Sequence, residues 1–169
     1  VSQYQFIAAP NKSWQAIQAE IQDEISNGWH LVIINNQEEQ DYLATELTNR
    51  FANITVNNKF LMGARQNANG NWQWADNSVF TYSAWWFGQP SALQGLAVGT
   101  LQNNQNWRWS AVTVTESQFI AGYILEREGT QIDNTVLSSA LANNFDFVVK
   151  RNSLAAGNNT LVLQAKDSN

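Results

Sequence analysis

The side chains best suited to chemistry in this chain fall in two clusters. Trp85, Trp86 and Phe87 stand just ahead of Gln89-Pro90-Ser91, and Asn103, Asn104, Gln105, Asn106, Trp107, Arg108 and Trp109 follow after a stretch of weak periodicity. Flat aromatic faces stack on the apolar side of a sugar ring or anchor a protein contact, while amides and a guanidinium fix orientation by hydrogen bonds. That is the chemistry of recognition, and the residues nominated for ligand binding are Trp86, Gln89, Ser91, Asn106, Trp107 and Arg108. Trp86 points away from Trp85 if the segment is extended, so a buried Trp85 turns it outward. Trp107 would share the face of Trp109 in a regular strand, so its place in a site rests on an irregular loop exit.

Catalysis finds little to work with. His30 is the single histidine and stands between Trp29 and Leu31, at the entrance to an apolar run where a core-edge ring is expected. The absence of cysteine excludes disulfides, thiolate zinc sites and a cysteine nucleophile. Glu38 and Glu39 are adjacent and do not face one another on a helix. No glycine-rich run precedes a Lys-Ser or Lys-Thr pair, so no phosphate loop is present. The expectation is a protein that is not an enzyme and takes no cofactor. No Asp or Glu lies between Asp76 and Glu116, so this stretch offers a hard dication only neutral oxygens, and no metal ligand is nominated.

Composition narrows the partners. A chain of 169 residues with 44% hydrophobic content supports one core. The net charge of −5 and the scatter of nine Lys and Arg residues argue against nucleic acid. The apolar runs fall far short of the roughly 20 residues that span a bilayer, so no membrane insertion is expected. No charged-then-apolar leader opens the chain at Val1, which reads as a mature product or a piece of a larger multidomain chain. With charged residues at only 14%, the many Asn and Gln side chains make a neutral hydrogen-bonding surface.

Several elements must position these residues. Tyr4 to Ala8 reads as a strand ended by Pro10, and Ser13 caps a helix whose apolar face is Trp14, Ile17, Ile21 and Ile25, with Gly28 as its stop. Leu31 to Ile34 is a buried run. Asn36 caps a second helix, with Glu39 reaching back to the cap amide, and Tyr42, Leu43, Leu47 and Phe51 form its apolar face. Phe60 to Gly63 is a short strand, Asn67 to Asn71 a hairpin turn, and Trp72 and Trp74 share one face of the strand that leaves it. Tyr82 to Gln105 reads as a long loop, the kind of segment that carries function. In the tail, Phe145, Phe147 and Val149 alternate as in a strand, as do Leu161, Leu163 and Ala165 around a turn at Ala156 to Asn159, suggesting a hairpin.

The order Trp72-Gln73-Trp74, Tyr82, Trp85, Gly88-Gln89-Pro90-Ser91, Trp109 and Gly122-Tyr123-Ile124-Leu125-Glu126 resembles a C-type lectin-like domain. The opening Tyr4 to Pro10 with Ser13-Trp14 is similar to the cysteine-free bacterial branch of that family. The resemblance implies an α+β C-type lectin-like fold over residues 1–127, with two helices, antiparallel strands and a long loop. Residues 128–169 then form a β-rich extension or the start of a following module. It also implies that Trp72, Trp74, Trp85 and Trp109 pack the core.

In calcium-binding members of the family, a Glu-Pro-Asn or Gln-Pro-Asp triplet and a later Trp-Asn-Asp triplet hold one ion that bridges sugar hydroxyls. Gln89-Pro90-Ser91 and Trp109-Ser110-Ala111 stand at those positions, with Ser91 and Ala111 in place of ligating residues. The expected function is a noncatalytic recognition or adhesion module of a secreted or surface-displayed bacterial protein, extracellular, binding carbohydrate without calcium. The alternative is a protein-binding or assembly module that uses the same loop or the terminal hairpin.

Overall fold

A computed structural model describes residues 2–53, 58–93 and 95–129, and the backbone of 146–148 and 164–166. Ser2–Glu128 form one compact unit. Its strands are β1 (Ser2–Ala8), β2 (His30–Leu31), β3 (Lys59–Gln66), β4 (Trp72–Trp74), β5 (Ala97–Gln102), β6 (Arg108–Thr113) and β7 (Ile120–Glu128). Its helices are α1 (Trp14–Glu20), α2 (Gln22–Ser26) and α3 (Gln37–Arg50). The main sheet runs β1-β7-β3-β5-β6, with β2 on β7 and β4 on β3. Only the β3–β7 pair is parallel among these described strands.

Period-two alternation divides the core between the two faces of the sheet. Phe60, Met62 and Ala64 of β3 and Ile124 of β7 join Leu43 and Leu47 of α3 on one face. Leu61, Tyr123 and Leu125 turn to the other, against Ile17 of α1 and Ile21. The sheet is therefore buried on both sides, which is why β3 and β5 read as continuous apolar runs and not as alternating ones.

The first helix departs from expectation. Ile21, at φ −87° and ψ 19°, breaks it into α1 and α2. Ser13 still caps α1, its Oγ accepting from the amide of Ala16 at 3.2 Å. The break keeps Ile21 buried but turns Ile25 outward to 41% exposure, so the apolar face is one residue shorter than its spacing predicts.

The cap of α3 is also modified. Asn36 Oδ1 accepts from the Glu39 amide at 2.9 Å as expected. Glu39, however, does not return to the amide of Asn36: its Oε2 accepts from the amide of Asn35 at 2.9 Å and its Oε1 from the Tyr4 hydroxyl at 2.6 Å. The carboxylate thus ties the helix start to β1 across the sheet edge.

The largest difference is β5. The stretch expected as loop through Gln105 contains a buried central strand, pairing β3 on one side and β6 on the other. Gly99 is required there, since a Cβ would sit 2.5 Å from Met62 Cε and 2.7 Å from Ala64 Cβ. In the tail, β8 (Asp146–Val148) and β9 (Gln164–Lys166) pair antiparallel. The expected turn at 156–159 lies outside the described residues.

Candidate functional site

The loop between β4 and β5 rests on a platform of aromatic rings. Trp109 lies at its centre, fully buried, with ring centroids 5.5 Å from Trp85, 5.6 Å from Trp74, 5.7 Å from Phe80 and 5.9 Å from Tyr82. Trp72 packs edge-on against Trp85 at 4.7 Å. These mostly T-shaped contacts place ring edges on ring faces, the favoured arrangement of aromatic quadrupoles. The backbone of the loop then joins β6: Trp109 N–H donates to Ala84 O and Trp86 N–H to Trp109 O, both at 2.9 Å.

From this anchor the chain turns outward. Gln89 N–H donates to Trp86 O at 2.9 Å, closing a four-residue turn whose third residue, Gly88, has φ +76°. Positive φ at the third position suits glycine and puts the second residue at the apex. That residue is Phe87, 94% exposed, with Trp86 beside it at 39%. Of seven exposed large hydrophobics among the described residues, five (Val79, Trp86, Phe87, Leu93 and Leu96) belong to this loop, which concentrates solvent-facing apolar surface in one segment.

The nominated residues differ in how far they face solvent. Trp86 is exposed as expected. Gln89 is committed internally, its Oε1 accepting from the amides of Ala111 at 2.9 Å and Ser91 at 3.1 Å. The carbonyl oxygen that would face a ligand instead pins the turn to β6, after a cis Gln89–Pro90 bond. Ser91 is half-buried, and Asn106 and Arg108 are exposed.

Trp107 contradicts its nomination. Its ring is 4% exposed and lies in the α3-side core, 6.0 Å from Phe60, so it presents no face to a ligand. The cause is the turn before β6. Asn106 and Trp107 both adopt positive φ, 52° and 59°, and two successive left-handed residues rotate the indole inward. Such backbone in a non-glycine residue costs of order 1–3 kcal/mol. It is held by Trp107 N–H on Gln102 O at 3.0 Å, Nε1–H on Thr48 Oγ1 at 2.9 Å, and Gln40 Nε2–H on Trp107 O at 2.9 Å.

Two residues escaped the nomination. Among the described residues Phe87 is the most exposed large hydrophobic side chain, and its signal was present in the Phe-Gly pair, where an aromatic precedes the glycine of a turn. Gln40, 4% exposed, brackets the site from below by binding both Trp107 and Trp109.

Electrostatics centre elsewhere. Burial pushes the Glu126 carboxyl above its ordinary range, with Glu39 adding repulsion, while bonds from the Ile33 amide and Ser2 and the charge of His30 oppose the rise. Glu126 Oε2 accepts from Ile33 N–H at 3.0 Å. Tyr82 is also raised, by burial and then by Asp41, with Arg108 opposing. Its hydroxyl donates to Gln37 Oε1 at 2.9 Å, which fixes the ring over Trp109. Among the described residues no three His, Cys, Asp or Glu side chains converge on a point where they could hold a metal ion.

No family model matches the chain. Among curated relatives, C-type lectin lectoxin-Lio1 of Erythrolamprus poecilogyrus is 28% identical over 101 residues, covering 59% of this chain. The chain spans about 60% of that relative's length. Among solved structures, the calcium-independent C-type lectin SPL-2 of Saxidomus purpuratus matches with a TM-score of 0.61 and 23% identity, over 77% of this chain and 88% of that one. The carbohydrate-recognition domain of the mouse scavenger receptor C-type lectin matches with a TM-score of 0.60 and 22% identity, over 78% and 91%. The two-sided sheet, the helices flanking it and the aromatic-anchored loop between β4 and β5 are thus the parts of a C-type lectin-like fold.

Proposed function

We propose that residues 1–127 are a noncatalytic recognition module of a secreted or surface-displayed protein, binding carbohydrate through the Trp86–Phe87 turn without calcium in the loop. The observation that carries this reading is the exposure of Phe87, 94%, at the apex of a turn anchored by the half-buried Trp85 on the buried Trp109. A large ring held in solvent by a rigid base is ready to stack on a sugar face without further ordering cost. The fold is shared with a carbohydrate-recognition domain and with a lectin described as calcium-independent, which makes carbohydrate the first ligand class to try.

The calcium-free part of the reading rests on oxygen supply. Calcium takes about 6–8 oxygen ligands, with carboxylates to balance its charge. The stretch from Asn77 to Thr115 carries no carboxylate, and the one side-chain oxygen of Gln89 already accepts two amides. Recognition in this reading falls to ring stacking by Trp86 and Phe87, with Arg108, Asn106 and Ser91 as polar contributors and Gln89 as the residue that holds the turn.

A glycan array probed with the purified chain, once with calcium and once with chelator, tests the proposal. Binding of the same glycans in both buffers is the expected result. Binding that disappears with chelator would refute the calcium-free mechanism, and absence of binding in both buffers would refute carbohydrate as the ligand.

A further inference from the structure

The two ends of the main sheet are finished differently. β6, at one end, opens on Arg108 and is shielded by the loop, with the amides of Trp109 and Ala111 bonded to Ala84 O and Gln89 Oε1 at 2.9 Å each. β1, at the other end, reads Ser-Gln-Tyr-Gln-Phe-Ile-Ala and runs along β7 without a shift of register. Charges, prolines and bulges keep edge strands from pairing with another chain, and β1 carries none of them.

Two hydrogen bonds fix which of its backbone groups face outward. Ala9 N–H donates to Ala121 O at 2.9 Å, so in the register that sets Ala8 opposite Gly122 the odd-numbered residues turn toward β7. Val32 N–H donates to Ile124 O at 2.9 Å from the far side of β7, so Phe6, opposite Ile124, is not bonded to β7. The N–H and C=O groups of Ser2, Tyr4, Phe6 and Ala8 therefore point away from the sheet. None of them has a hydrogen-bond partner among the described residues.

This row is complementary to itself. Antiparallel pairing with the β1 of a second copy sets outward-facing residues opposite one another, and the register that uses all four places Ser2 against Ala8 and Tyr4 against Phe6, for about eight N–H···O bonds. Sliding it by two residues in either direction leaves Ser2 or Ala8 without a partner. The two-fold axis of this register passes through Gln5, which is exposed. The two Gln5 side chains meet as a non-hydrogen-bonded pair, where side chains lie closest, and an amide is both donor and acceptor for its own kind. On the opposite face Tyr4 meets Phe6 twice, an aromatic cross-strand pair. Both rings are already held, Tyr4 by its hydroxyl on Glu39 Oε1 at 2.6 Å and Phe6 by the Arg50 guanidinium at 4.9 Å from its centroid.

We infer that β1 is a homodimer interface, through which two copies join their sheets edge to edge about a two-fold axis at Gln5. A foreign extended segment satisfies the backbone row but lacks the matching amide and rings, whereas a second copy supplies all three in one closed, isologous contact. No residue of the Trp86–Phe87 turn takes part, so the failure of either reading leaves the other standing.

The test is sedimentation of the full chain across a dilution series, joined to residue-resolved hydrogen exchange. The chain is expected to sediment as a dimer that dissociates on dilution, with the Tyr4 and Phe6 amides slowed in the dimer and fast in the monomer, while those of Gln5 and Ile7 stay protected in both. Gln5→Lys and Gln5→Glu, at an exposed position, each weaken self-association by at least about tenfold by setting like charges opposite one another, and mixing the two variants restores the dimer. A chain that stays monomeric at every concentration, a dimer whose Tyr4 and Phe6 amides exchange as in the monomer, or a dimer indifferent to Gln5→Lys overturns the inference.

Discussion

Trp109 Nε1 donates to Gln40 Oε1 at 2.7 Å, and through this bond a buried helix amide fixes the ring on which the loop between β4 and β5 rests. The other end of the same amide holds the carbonyl of Trp107 at 2.9 Å. A single side chain on α3 therefore sets both the anchor of the loop and the unusual backbone that ends it.

Gln40→Leu retains the volume of the side chain but leaves Trp109 Nε1–H and Trp107 O buried without partners. Each orphan group costs about 1–3 kcal/mol, so a loss of about 2–6 kcal/mol is expected in urea unfolding. A loss below about 1 kcal/mol would mean that the bracket is redundant.

Trp107 and Phe87 should separate stability from binding. Trp107→Ala removes a buried ring and is expected to destabilise the domain by about 3–5 kcal/mol. Phe87→Ala removes a ring that touches little else, so stability should hold within about 0.5 kcal/mol. Calorimetry or denaturant titration of the two variants decides the assignment, since the reverse order would place Trp107 at the surface and Phe87 in the core.

Glu126 gives stability a pH dependence of defined sign. Its folded-state pKa is raised above the unfolded value, chiefly by burial, so the folded state holds the proton more tightly. Between the two pKa values the native state binds more protons than the unfolded chain, and stability falls as pH rises through that window. The contribution is present in full below the unfolded pKa and lost above the folded one. Glu126→Gln keeps an acceptor for the Ile33 amide and should flatten this part of the profile in melting curves taken from mildly acidic to neutral pH. An unchanged slope would assign the dependence to other groups.

Gln89 is expected to act through the backbone. Gln89→Ala frees the Ala111 amide and releases the turn from β6, at a cost of about 1–2 kcal/mol. Carbohydrate affinity should fall with it, while Gln89→Glu, which keeps an acceptor for both amides, should retain the turn. Faster hydrogen exchange at Ala111 in the alanine variant is the direct readout.

Much of the fold could be read from local chemistry. Ser13 and Asn36 cap helices because their side-chain oxygens accept the third amide onward, which needs no tertiary context. The turn at Asn67 forms for the same reason, its Oδ1 accepting from Asn69 and Asn71 at 3.0 Å each. β5 was hidden because it is covered on both faces, which removes the alternation that marks a strand, and because Gly99 reads as a breaker until Met62 is seen against it.

The site was less legible. Trp107 was placed in the site on the strength of an irregular loop exit, and the exit is irregular, but its left-handed pair at Asn106 and Trp107 is held by bonds to Gln40, Thr48 and Gln102 that turn the ring inward and that no local pattern reveals. Trp86 needed only alternation from Trp85, which is half-buried against the core. Gln89 looked like a ligand-facing amide because nothing in a linear chain reveals that Ala111 N–H lies 2.9 Å from its oxygen.

The most direct measurement is the affinity of the array-positive glycan for the wild-type chain and for the Trp86→Ala/Phe87→Ala double variant, in chelator, with circular dichroism to verify folding. The account predicts a loss of at least about tenfold, corresponding to about 1.4 kcal/mol or more, in a variant that melts like the wild type. Unchanged affinity in a folded double variant would contradict it, and would move carbohydrate recognition away from the exposed turn.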